Sequence, residues 1–217
     1  MDELIRNLAV YALPVLFAIT LHEAAHAYAA KHFGDTTAYA AGRMSLNPMS
    51  HIDPFGTVII PVLLYLTTGF VFGYARPVPI DFSRLRNPKR DMAWVALAGP
   101  AANFIMALLW TILGIVLDAL QVSEPFWHKM AYAGLITNLL FFAFNLIPIP
   151  PLDGGRVAVS LLPNRLAYKY ARLEPYGFFI VLALIFLKVL NFWVVPVVMA
   201  GQGLLSLIVS PLNLLLH

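Results

Sequence analysis

"LHEAAHAYAA", residues 21–30, closes an almost purely apolar run that begins at Leu8. A segment of that composition belongs in hydrocarbon, yet it carries His22, Glu23 and His26. Each ionisable side chain near a bilayer centre costs roughly 2.5–3.5 kcal/mol on insertion scales, so three together need a compensating partner. On a helix His22 and His26 lie one turn apart on the same face. That is the spacing by which two imidazoles hold one zinc ion, with the adjacent glutamate placed to act as a base on water. A bound cation supplies the partner, and the stretch reads as a membrane helix built around a metal site.

The rest of the chain agrees with a lipid environment. Of 217 residues 60% are hydrophobic and only 12% are charged, with mean hydropathy +0.78. Soluble domains run about 45–50% apolar and about 25% charged, so the composition is that of an integral membrane protein. A net charge of +3 is small and is read as membrane orientation, which leaves no nucleic-acid partner to expect. With no cysteine, disulfides and thiolate chemistry are excluded. The n-region "MDELIR" is net negative, unlike that of a cleaved signal peptide.

Six apolar segments are expected, over residues 7–31, 55–72, 92–118, 129–148, 176–191 and 193–215. Short β-strand or hairpin pieces are expected near the site, in 36–46 and 74–81, where Pro77 and Pro79 rule out helix. Residues 164–175 read as an amphipathic interfacial helix. The fold class is thus all-α and polytopic, a single domain over 1–217 with core motifs in 20–155 and additional helices in 176–215.

Two histidines leave zinc short of the three protein ligands that catalytic sites use. Without cysteine the third must be His, Asp or Glu. Asp153, in "NLIPIPPLDGG" (145–155), follows a proline-rich turn and precedes two glycines. Taken alone it would be a helix-capping aspartate; beside an incomplete zinc site it becomes the candidate ligand.

Three ordered motifs, His22-Glu23-x-x-His26, "AGPAANF" (98–104) and "NLIPIPPLDGG", together resemble the site-2 protease family of intramembrane zinc metalloproteases. The resemblance covers nearly all of the chain. It implies that His22, His26 and Asp153 bind one Zn2+ and that Glu23 is the general base. It also implies that Asn145 lies beside the site, where it would contact substrate backbone or a developing oxyanion, with Asn103 a weaker candidate for that role or for interhelical packing. His51 is left out of the ligand set as an ordinary loop histidine. The PDZ and CBS domains of other members have no counterpart in these residues, which suggests a compact branch.

A shared zinc also constrains topology. Six crossings would place His22 and Asp153 at different depths, whereas zinc bonds are about 2 Å long. Five transmembrane helices with 55–72 re-entrant and the N-terminus outside bring both toward the cytoplasm. That arrangement puts eleven of the fourteen Lys and Arg inside, in line with the positive-inside rule. The expected function is hydrolysis of a peptide bond in or near a transmembrane segment of a protein or peptide substrate in the cell-membrane bilayer. A strand-like edge near the site would pair with the unwound substrate. A catalytically silent helix-binding scaffold or a metal transporter are the alternatives.

Overall fold

The computed structural model of the chain describes residues 2–60, 63 and 75–216. Its long helices are α1 (Asp2–His32), α2 (Pro88–Ala119), α3 (Pro125–Asn145) and α7 (Asn191–Leu216). Three shorter ones lie between the last two: α4 (Asp153–Leu161), α5 (Asn164–Ala171) and α6 (Glu174–Phe186). Prolines at the first helical turn, Pro88 in α2 and Pro125 in α3, start helices where a missing N–H costs nothing. All regular structure among the described residues is helical. Three helices, Leu8–His32, Pro88–Ala119 and Asn191–Leu212, are long and apolar enough to cross a bilayer.

Side-chain contacts fix the directions. Val10, Trp110 and Met130 share one cluster at one end of the bundle, while Ala30 and Val95 meet at the other. Asn138 hydrogen-bonds Asn103, and Leu139 packs on Ala107. Helices α1 and α3 therefore run parallel, with α2 antiparallel to both. The Trp193 indole N–H donates to Ala143 O at the end of α3, and Leu205 reaches Leu139, so α7 is antiparallel to α3. Lipid gives apolar helices no hydrophobic drive to associate, and small residues that let backbones approach take over. Ala18, Ala24, Ala27 and Ala30 on α1, and Ala133 and Ala143 on α3, are all buried. Gly134 is obligatory there, because a Cβ would enter the Trp110 ring of α2.

Segment 176–191 departs from a full crossing. Helix α6 has 13 residues and so measures about 20 Å, short of a hydrocarbon core of about 30 Å. Its Val181, Leu184 and Ile185 cluster with Ile147 and Leu190 at the end of the bundle where α3 stops and α7 starts. Interfacial helix 164–175 is shorter than expected, Asn164–Ala171, and has no buried residue.

The expected strands are absent among the described residues. Thr37–Ala40 is a single helical turn, and 75–81 is extended without a ladder. Pro77 and Pro79 lack the N–H groups a ladder needs, and the Arg76 backbone is engaged by the loop before it, its N–H by His51 O and its carbonyl by the Arg43 guanidinium. Most of 55–72, including Pro61 and Gly69, lies outside the described residues; its start, Pro54–Ile59, is a π-helical turn capped by Asp53.

Candidate metal centre

The site forms where three elements meet. Helix α1 presents His22 and His26 from successive turns, with ring centroids 4.6 Å apart. Helix α2 passes beneath them at Gly99, where a Cβ would collide with both imidazoles, so only glycine lets the helices approach there. The third element is the turn 146–152 leading into α4, whose first residue is Asp153. Gly154 and Gly155 lie so close to the backbone of Leu146 and Pro150 that neither tolerates a side chain. The Tyr170 hydroxyl donates to Pro148 O, tying the turn to α5. Asp153 is thereby carried back onto α1.

His22, His26 and Asp153 are buried, 6%, 4% and 5% exposed, and their ligand atoms lie within 4.8 Å of one another. The two Nε2 atoms are 3.1 Å apart, and Asp153 Oδ2 is 3.2 Å and 3.3 Å from them. Protonation follows from the outer partners. The Asn103 amide nitrogen donates to Ala18 O, a pure acceptor, which fixes the orientation of the amide. Asn103 Oδ1, 2.6 Å from His22 Nδ1, must then accept the imidazole proton. His26 Nδ1 likewise donates to Val95 O at 2.8 Å. With Nδ1 of each imidazole committed to an outer acceptor, both Nε2 atoms are left facing Asp153 Oδ2.

Three potential ligand atoms, one of them a carboxylate oxygen, converge in a buried site, where a cation would offset the cost of burying the charge. The spacing suits zinc. Tetrahedral bonds of about 2.0 Å put ligand atoms about 3.3 Å apart, and the three separations here fall close to that edge. Donation of the outer ring nitrogen to a carbonyl or amide oxygen is the usual way a ligating histidine is oriented. The residues present fit a zinc ion.

Glu23, next to His22 on α1, is half-buried, and its Oε2 accepts the backbone N–H of Val78 at 2.8 Å. Asn103 is completely buried behind His22, and its amide is fully engaged by His22, Ala18 and Asn138. Asn145 ends α3 and donates to Phe141 O one turn back. His51 is buried and not part of the ligand cluster, and its Nε2 donates to Ser45 O. Nearby Arg43 is held below the usual guanidinium range by burial and then by the adjacent Arg76.

Sequence reasoning missed several contributors. Val95 and Val78 act through the main chain, which leaves no signature in residue type. Asn138, fully buried, extends the polar chain by donating to Gly134 O and accepting from Asn103. An asparagine inside an apolar segment was the available signal for it.

Comparisons with known proteins bear on this site. The profile of Peptidase family M50 matches residues 115–188. YwhC of Bacillus subtilis, named as a zinc metalloprotease, is 35% identical over 209 residues, 92% of each chain. Rip2 of Mycolicibacterium smegmatis, named likewise, is 32% identical over 180 residues, covering 82% of this chain and 67% of its own. A zinc metalloprotease of Methanocaldococcus jannaschii is 26% identical over 160 residues, 74% of this chain and 36% of its own. No solved structure matches the chain significantly.

Proposed function

The chain belongs to peptidase family M50, the site-2 proteases, as a zinc-dependent metalloendopeptidase, and from that premise we propose that it cleaves membrane-protein substrates within or beside the bilayer. His22, His26 and Asp153 are the zinc ligands in this reading, and Glu23 is the general base. One observation carries it: two imidazole Nε2 atoms and a carboxylate oxygen converge in a buried site at the spacing of zinc ligands.

Zinc supplies Lewis acidity, polarising a peptide carbonyl and making water a stronger acid. The protein's own residues do the rest. Asn103 and Val95 O hold the imidazoles in the tautomer that presents Nε2. Glu23 takes a proton from the attacking water and passes it to the leaving amine nitrogen. A helical substrate must unwind first, because its carbonyls are tied in i→i−4 bonds.

The site lies toward the cytoplasm, and the N-terminus lies outside. Charge supports this orientation. Arg6 and Lys129 sit at the far end of the bundle, while the other twelve of the fourteen Lys and Arg sit at the end of the site. In this reading α1, α2, α3 and α7 cross, with α4, α5 and the short α6 at the cytoplasmic end, which is four crossings among the described residues where five were expected from sequence. The antiparallel pairing of α1 and α2 supports this count, since residues 33–60 and 75–87 then begin and end on one side. Phe33 O and Arg86 N–H meet there at 2.9 Å.

The test is Glu23→Gln. It should keep zinc at the wild-type stoichiometry while cleavage of a single-span membrane reporter disappears. Retained turnover would remove Glu23 from the mechanism.

A further inference from the structure

Between Arg76 and Ile80 the chain reads Arg-Pro-Val-Pro-Ile, so Val78 carries the only backbone N–H of the three central residues. That single donor is the one Glu23 Oε2 accepts, at 2.8 Å. The segment around it is pinned on both sides. Arg76 N–H donates to His51 O at 2.9 Å, and Arg76 O accepts from Arg43 Nη2 at 3.0 Å. At the other end Asp81 N–H donates to Oδ2 of the buried Asp35 at 2.8 Å. His51 is itself fully buried and tied to Ser45 O, so the first anchor is rigid. Val78's side chain, 7% exposed, packs with Ala27, one helical turn beyond Glu23. Two prolines restrict the backbone on either side of the donor.

We infer that residues 76–81 form a positioning strap for the general base: Arg43, His51 and Asp35 hold it so that the Val78 N–H fixes one carboxylate oxygen of Glu23. The other oxygen is left to face the reacting water. Charge-assisted bonds of this kind are about twice as strong as neutral ones, and a base held in one rotamer has no search to make before reaction. His51 and Asp35 are positioning residues that act on Glu23 through the strap, whereas Arg43 both holds the strap and lies within direct electrostatic range of Glu23. This inference rests on Glu23 being the base, and the test separates the two.

Val78→Pro deletes the N–H while keeping an apolar side chain in a run of prolines; Val78→Ala keeps the N–H and trims the side chain. A donor–quencher-labelled single-span peptide that the wild-type chain cleaves in detergent micelles reports kcat and KM, and zinc content is measured on each variant. Val78→Pro should bind zinc normally and lose about tenfold to a hundredfold in kcat with little change in KM. Val78→Ala should retain at least ten times the kcat of Val78→Pro. Arg43→Ala should lower kcat in the same way, with partial rescue by Arg43→Lys, which can still donate to Arg76 O. Independently of activity, exchange of the 15N-labelled Val78 amide should quicken at least tenfold in Glu23→Ala. Equal kcat in the two Val78 variants, a rise in kcat for Val78→Pro, or unchanged exchange in Glu23→Ala would each overturn the strap. An active Glu23→Gln would instead remove the base assignment while leaving the exchange result standing.

Discussion

Asn103 shows how much of this site is decided by a residue that never touches the metal position. Its carboxamide bridges His22, Ala18 and Asn138, and so joins α1, α2 and α3 at the depth of the site. In lipid such interhelical bonds are worth about 0.6 kcal/mol on average and at most about 1.7, so their stabilising effect is modest. The larger effect is on tautomer and ring orientation. Asn103→Ala should weaken zinc binding by about 10–100-fold, the usual cost of losing an outer partner, in a chelator competition assay while leaving the helices folded. Unchanged affinity would show that His22 needs no such support. The two-histidine spacing and its glutamate were legible because four residues along one helix is local geometry. The task of Asn103 was not, since 81 residues separate it from His22 and an asparagine in a membrane helix serves packing equally well.

At the scale of elements, the decisive fit is that of α2 against α1. Gly99 has no room for a methyl group, because both imidazoles occupy the space where a Cβ would stand. Gly99→Ala should therefore abolish zinc binding in metal analysis, whereas Gly203→Ala in α7, whose Cβ would meet nothing within 4 Å, should leave zinc content unchanged. "AGPAANF" could be read from sequence as a close-packing stretch, but nothing in it says that the packed neighbour is a pair of ligands. Helix positions were legible to within a few residues because apolar runs flanked by prolines and charges mark them. The strands were misread for a definable reason. Residues 75–81 are extended, as Pro77 and Pro79 require, but the groups that would build a ladder are spent on Arg43, His51, Asp35 and Glu23. Extended shape was written in the sequence, and its partners were not.

For the molecule as a whole, the candidate metal site bears on the relative directions of the helices, and the charge distribution alone carries the proposed orientation in the membrane. Bringing Asp153 to His22 forces α1 and α3 to be parallel, and the positive-inside rule then sets which end faces the cytoplasm. Because the chain has no cysteine, single substitutions report sidedness cleanly. A cysteine at Ser123, exposed in the α2–α3 connection, should react with a membrane-impermeant maleimide in intact cells. One at the exposed Arg165 of α5 should react only after permeabilisation. The reverse pattern would invert the molecule and move the site to the outer face. Segment 176–191 was the least legible, because it has the composition of a span but folds as a helix of 13 residues, Glu174–Phe186, that packs on Ile147 and Leu190. The central claim, that His22, His26 and Asp153 together hold zinc, is most directly tested by zinc-edge X-ray absorption on the purified chain beside Asp153→Ala. One zinc per chain, with two imidazole nitrogens and a carboxylate oxygen at about 2.0–2.2 Å, is the predicted result, with the oxygen shell altered or the metal lost in the variant. A spectrum that is the same with and without Asp153 would contradict it.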